Sequence, residues 1–119
     1  MDDSQFFTFF MSIISQVKLF HWSTMSYAKH KALDDLHSNL SSNIDKLIEV
    51  YIARYKKQPL TTFNVNIIST TNTNDIDKYL TMNRDIIDKI QNNYSSEIQN
   101  ILQEIMGNLD QAIYLCKLT

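Results

Sequence analysis

The chain has 119 residues, is 44% hydrophobic, and carries 11 basic against 13 acidic side chains for a net charge of −2. That length supports one domain with a single core, and that hydrophobic share excludes a disordered chain. The near-neutral balance excludes the basic footprint of a nucleic-acid binder, and one glycine and one proline (Gly107 and Pro59) are too few for the turns of an all-β fold.

Long helices are therefore expected. Cys116 is the only cysteine, so the chain can form neither an internal disulfide nor a thiolate metal cluster. A reducing, cytoplasmic setting fits that usage. The opening MDDSQFFTFFMSIISQ starts acidic and lacks a small-residue cleavage site, so it does not read as a signal peptide. Ser12, Ser15, Gln16 and Lys18 interrupt its apolar run, which is then too short to span a membrane.

The first predicted helix runs from about Ser4 to about Met25, capped by Asp3 or Ser4. Phe6, Phe9, Phe10, Ile13, Ile14, Val17 and Phe20 recur every three or four residues and make one wide apolar face. His21 continues that face and needs a hydrogen-bond partner or a metal there. After a connection at Ser26 to Ala28, a second helix is expected from about Lys29 to Lys57. Its apolar set is Leu33, Leu36, Leu40, Ile44, Leu47, Ile48, Tyr51, Ile52 and Tyr55, and Pro59 is its natural stop.

Gln58 to Thr73 has no helical period and reads as a connection. Sixteen extended residues reach about 50 Å, enough to travel the length of the second helix. The expected fold is therefore an all-α, ferritin-like four-helix bundle with one long crossover between its second and third helices. The third helix is expected from about Asp75 to Asn92 with Asn74 as cap, turning inward Ile76, Tyr79, Leu80, Asn83, Ile86, Ile87 and Ile90. The fourth follows from about Ser95 to Lys117, with Ile98, Ile101, Leu102, Ile105, Leu109, Ala112, Ile113 and Cys116 inward. Gly107 inside it marks either a close helix approach or a tolerated weak point.

The chemistry-bearing residues gather between Phe20 and Glu49, which hold all three histidines and the only tryptophan. A helix advances about 100° per residue, so His30, Asp34, Asp45 and Glu49 share one stripe of the second helix. Imidazole and carboxylate donors together suit iron, zinc or manganese. Asp34 and Asp45 lie about 16 Å apart along the axis, too far for one ion. The two pairs are symmetric about the point between Asn39 and Leu40. Two copies of the helix crossing antiparallel there would bring Asp34 to Asp45 of the partner subunit and His30 near Glu49 of the partner subunit. Such a homodimer holds two equivalent sites, each open to His21. The Glu-x-x-His motif of single-bundle di-iron proteins has no counterpart, because no histidine follows His37. The plain alternative is a solvated face, since Lys31, Asp35, Lys46 and Arg54 lie on the same helix.

The run QVKLFHWSTMSYAKHKALDDLHSNLSSNIDKLIE resembles the signature of Dps-type mini-ferritins. In that family a His-Trp pair ends the first helix, a His-x-x-x-Asp follows, and an Asp-x-x-x-Glu comes eleven residues on. The resemblance implies a ferroxidase centre for iron built from His21, His30 and Asp34 of one subunit with Asp45 and Glu49 of its partner, and Trp22 beside it. It also implies a homodimer, with a larger homo-oligomeric shell as an extension. The link from His21 to His30 is shorter than the family's and lacks its customary glycine. The chain also lacks the lysine-rich arm that many such proteins use on DNA, so neither nucleic acid nor membrane is an expected partner. Abundant Asn and Ile fit an AT-rich genome such as that of a large DNA virus. The alternative function is a non-catalytic ferritin-like structural or interaction module, for example a virion component.

Overall fold

The computed structural model describes residues 1–58 and 64–118. Its elements are α1 (Asp3–Ser23), α2 (Tyr27–Tyr55), α3 (Thr73–Ile90) and α4 (Ser96–Cys116), with a short 3-10 turn at Gln91–Asn93 and no strand among the described residues.

The first three helices begin where a short polar side chain takes a free N–H group of the first turn, whereas Ser95 at the start of α4 makes no such bond. At α1 that residue is Asp2, whose carboxylate accepts from the Gln5 amide at 2.8 Å while the Gln5 side chain accepts from the Asp2 amide at 2.9 Å. This capping box starts the helix one residue earlier than Asp3 or Ser4 as cap. It frees Asp3 to accept from the Tyr51 hydroxyl and to pair with Lys57 at 3.2 Å. Ser26 caps α2 by accepting from the Lys29 amide at 3.3 Å, so α1 stops at Ser23 and α2 starts at Tyr27, tightening the connection. At its other end α2 turns off through Lys56 in the left-handed conformation (φ 54°). Pro59, the expected stop, lies outside the described residues. Asn72 rather than Asn74 caps α3, accepting from the Asn74 amide at 2.9 Å.

The helices pack α1 on α2, α2 on α4 and α4 on α3. The ring closes where Tyr79 of α3 meets Phe20 of α1 edge-on at 5.4 Å. Lys57 sits by the start of α1, and Ser69 reaches the hydroxyl of Ser23 at its end (2.8 Å), so the crossover travels the whole length of α1. Gln16 pins it: its side chain accepts from the Ile68 amide at 3.0 Å and donates to the Ile68 carbonyl at 2.7 Å. The result is an up-down-down-up four-helix bundle with one long crossover between α2 and α3. Its 43 Å long dimension equals the length expected of α2.

The core runs the length of the bundle through Phe6, Phe10, Phe20, Leu33, Leu40, Leu47, Leu80, Ile87 and Leu102, each fully buried. Each such side chain contributes about 1.5–3 kcal/mol of hydrophobic stabilisation. Phe6 stacks on Tyr51 at 4.2 Å and meets Phe10 and Tyr94, forming an aromatic floor at one end. Phe7, Ala32 and Met106 join the core although periodicity did not select them, whereas Ile86 and Ile113 remain half-exposed. No helix among the described residues is long and apolar enough to cross a membrane.

Candidate metal centre on the outer face of α2

The tight α1–α2 corner sets His21 and His30 against each other. Their rings stack at 3.9 Å between centroids, 21° from parallel. His21 Nδ1 donates to the His30 carbonyl at 2.8 Å, and His30 Nδ1 donates to the His21 carbonyl at 2.9 Å. A carbonyl only accepts, so both protons sit on Nδ1. The His21 carbonyl is one of the free acceptors at the end of α1, so His30 also caps that helix. With Nδ1 donating to a carbonyl, each ring keeps its Nε2 lone pair, the arrangement that orients histidine ligands in metal sites.

His21 is 8% exposed, and its Nε2 lies 3.9 Å from Asp34 Oδ1. That is beyond a hydrogen bond. It is close to the sum of two ligand bonds of about 2 Å each. A free ring nitrogen of a largely buried histidine facing a half-exposed carboxylate across such a gap is suited to hold a cation. His30 and Asp34 lie beside each other one turn apart on α2, as the spacing predicts.

Asp45 and Glu49 lie further along the same stripe, both exposed. Asp45 pushes the Glu49 carboxyl above its usual range, by hydrogen bonding to its protonated form first and by charge second. Two carboxylates forced together are half of a divalent-cation site. Among the described residues no ion pair reaches either of them. Nor is any group of three or more His, Cys, Asp and Glu side chains among the described residues placed to hold one metal. The single chain thus stacks His21 on His30 with the His21 Nε2 3.9 Å from Asp34, and sets Asp45 beside Glu49 further along α2, without assembling a three-ligand group among the described residues.

Three residues around the site were not selected from sequence. His37 lies one turn beyond Asp34. Burial, then the Lys18 charge, hold its imidazole below the usual range, against the pull of Asp34. The i, i+3 spacing from Asp34 was the available signal. Tyr27 stacks on His30 at 6.3 Å, again one turn away on α2. Lys18 lies over the Trp22 ring at 5.7 Å, and Trp22 itself is 68% exposed. Trp22, Met25 and Tyr27 make an exposed apolar corner beside the histidines.

Residues 21–116 match a family described as "Family of unknown function (DUF5856)", and that span starts at His21 and contains every residue of the two half-sites. No curated protein and no solved structure matches the chain.

Proposed function

The chain belongs to the DUF5856 family, and we propose that it is an iron-binding, mini-ferritin-like protein that takes up Fe(II) between two copies of itself and oxidises it. His21, His30 and Asp34 of one subunit would hold the cation together with Asp45 and Glu49 of the partner subunit. The carrying observation is the reciprocal pair of His21 and His30. Both Nδ1 atoms are committed to backbone carbonyls, and the Nε2 of the largely buried His21 is left without a hydrogen bond, 3.9 Å from Asp34.

Neutral imidazole nitrogens suit Fe(II), and carboxylates favour the harder Fe(III), so the mixed donor set lowers the cost of oxidation. The metal is the substrate, and peroxide or dioxygen is the electron acceptor. Zinc and manganese fit the same donors. The antiparallel crossing is supported at its centre by Ser38 and Ser41, exposed or half-exposed small residues that allow two helices to approach closely. Anaerobic Fe(II) titration followed by addition of peroxide tests the reading. The double variant Asp45→Ala with Glu49→Ala is expected to abolish both stoichiometric binding and rapid oxidation. Unchanged stoichiometry and rate would exclude the shared site.

The alternative, a non-catalytic structural or interaction module such as a virion component, is favoured by one observation. The corner of Trp22, Met25 and Tyr27 exposes 68%, 87% and 76% of those side chains, more than a solvated bundle needs. Loss of partner contact without loss of any metal-dependent property on substituting these three would support it.

A further inference from the structure

We infer that the pairing of two α2 helices is switched by divalent cations: without them the chain is monomeric, and cation uptake closes the dimer. This rests on the shared-site reading above. The antiparallel register that joins the half-sites sets Asp34 against Asp45 of the partner subunit, with Glu49 of the partner subunit beside it. Each shared site then gathers three carboxylates, and the same happens at its symmetry mate.

The positive groups nearby do not offset this. Lys31 lies at the rim in line with Glu49, and Lys46 points further round the helix. Lys18 of α1 lies over the Trp22 ring, and its charge reaches His37, one turn from Asp34. His21 and His30 each need only the Nδ1 proton for their contacts. Three carboxylates against Lys31 at the rim and Lys18 on the histidine side leave a net negative site, and the carboxylates of the two subunits repel across the interface.

Apolar burial does not compensate either. The centre of the crossing is Ser38 and Ser41, and the half-buried Ile48 and Ile52 are the main apolar residues of α2 near this stripe besides Tyr27. The centre of a lasting homodimer interface is more apolar than its rim and poor in charged residues, and the centre of this face is polar and flanked by carboxylates. His21 supplies the second pointer to a ligand, a side chain nine-tenths buried with a nitrogen facing Asp34 across 3.9 Å. A divalent cation converts the repulsive contact into a bridge. Because the cation binds the dimer and not the monomer, association and uptake are linked. With two cations per dimer, a tenfold rise in free cation lowers the apparent dimer dissociation constant by up to about a hundredfold.

Sedimentation velocity on the full chain, in EDTA and in Mn(II) as a redox-quiet stand-in for Fe(II), reads this directly, with Mn(II) binding measured by calorimetry on the same samples. The expected result is monomer in EDTA and dimer in Mn(II). The double variant Asp45→Asn with Glu49→Gln, exposed and therefore expected to fold, should associate more strongly in EDTA and lose the response to Mn(II). Ser41→Arg should stay monomeric in both and lose Mn(II) binding. A dimer of equal strength in EDTA and Mn(II) that still binds the metal overturns the switch and leaves the shared site standing. Wild-type Mn(II) affinity in monomeric Ser41→Arg overturns the shared site itself, and absence of Mn(II) binding in every form overturns both.

Discussion

His21 and His30 cap each other: each ring donates its Nδ1 proton to the other's main-chain carbonyl, at 2.8 and 2.9 Å, while the rings stack. Substituting either therefore leaves a carbonyl without its partner at the α1–α2 corner. Net hydrogen bonds of this kind are worth about 0.5–1.5 kcal/mol each. His30→Ala, which also removes the stack, is expected to cost about 1–3 kcal/mol in urea denaturation of the metal-free chain. Nitrogen-15 NMR of the imidazoles at neutral pH should find both rings with the proton on Nδ1. A proton on Nε2 and a bare Nδ1 would contradict the geometry.

Asp45 and Glu49 make a second, independent prediction. The Asp45 carboxylate raises the Glu49 pKa in the folded chain, through their hydrogen bond first and charge second. A raised carboxyl contributes stability at low pH, and that contribution is lost as pH climbs through the folded value. Deprotonating this pair thus works against the fold, and removing one charge relieves it. Asp45→Asn should lower the Glu49 pKa in a carbon-13 carboxyl titration and make the metal-free chain slightly more stable at neutral pH, not less. A Glu49 titration unmoved by the substitution would show that the two groups do not interact.

Gln16 holds the crossover by both hydrogen bonds of Ile68 while itself 3% exposed. Gln16→Leu keeps the buried volume and removes both bonds. The Ile68 amide is then expected to exchange with solvent faster, by a factor of about ten or more per 1.4 kcal/mol of local protection lost, while amides of α4 keep theirs. Uniform loss of protection along the chain would instead assign Gln16 to the stability of the whole bundle.

The buried Tyr51 and the partly buried Tyr79 set the alkaline limit. Burial pushes Tyr79 up to about 12, and burial with the hydrogen bond to Asp3 pushes Tyr51 higher still. A tyrosine raised in the fold contributes stability that is present below its unfolded value of about 10 and is lost as pH rises through the folded one. Denaturation midpoints should therefore fall steeply between pH 10 and pH 12. Tyr79→Phe should fall less steeply, since its hydroxyl makes only a 3.5 Å contact with the Ser12 carbonyl.

Local spacing carried most of the architecture. The three- and four-residue recurrence of Phe6, Phe10, Ile13, Val17 and Phe20 is a property of one helix and can be read without its neighbours. The helix ends were off by one or two residues because adjacent candidates compete: Asp2 outdoes Asp3 once Gln5 completes the capping box, and Asp3 is drawn to Tyr51 and Lys57. What depends on distant chain was not legible. Gln16 meets Ile68 across fifty-two positions, and nothing about Gln16 alone distinguishes it from a surface residue. The pairing of Asp45 with Glu49 was readable as an i, i+4 contact. The locking of His21 by the His30 carbonyl was not, since it depends on how sharply residues 24–26 turn.

Gly107 separates two readings that spacing left open. It lies exposed inside α4, its φ is not positive, and a Cβ built on it meets no atom within 4 Å among the described residues beyond its own stretch of helix. The glycine therefore serves no close helix approach within the chain. A glycine in a helix interior costs about 0.5–1 kcal/mol relative to alanine through the extra freedom of the unfolded chain. Gly107→Ala is accordingly expected to raise stability by about that amount in urea denaturation, with unchanged helical signal and unchanged Mn(II) response. A loss of stability would mean that Gly107 lies against a surface that the single chain does not contain, and would place a second interface on α4, away from the α2 stripe.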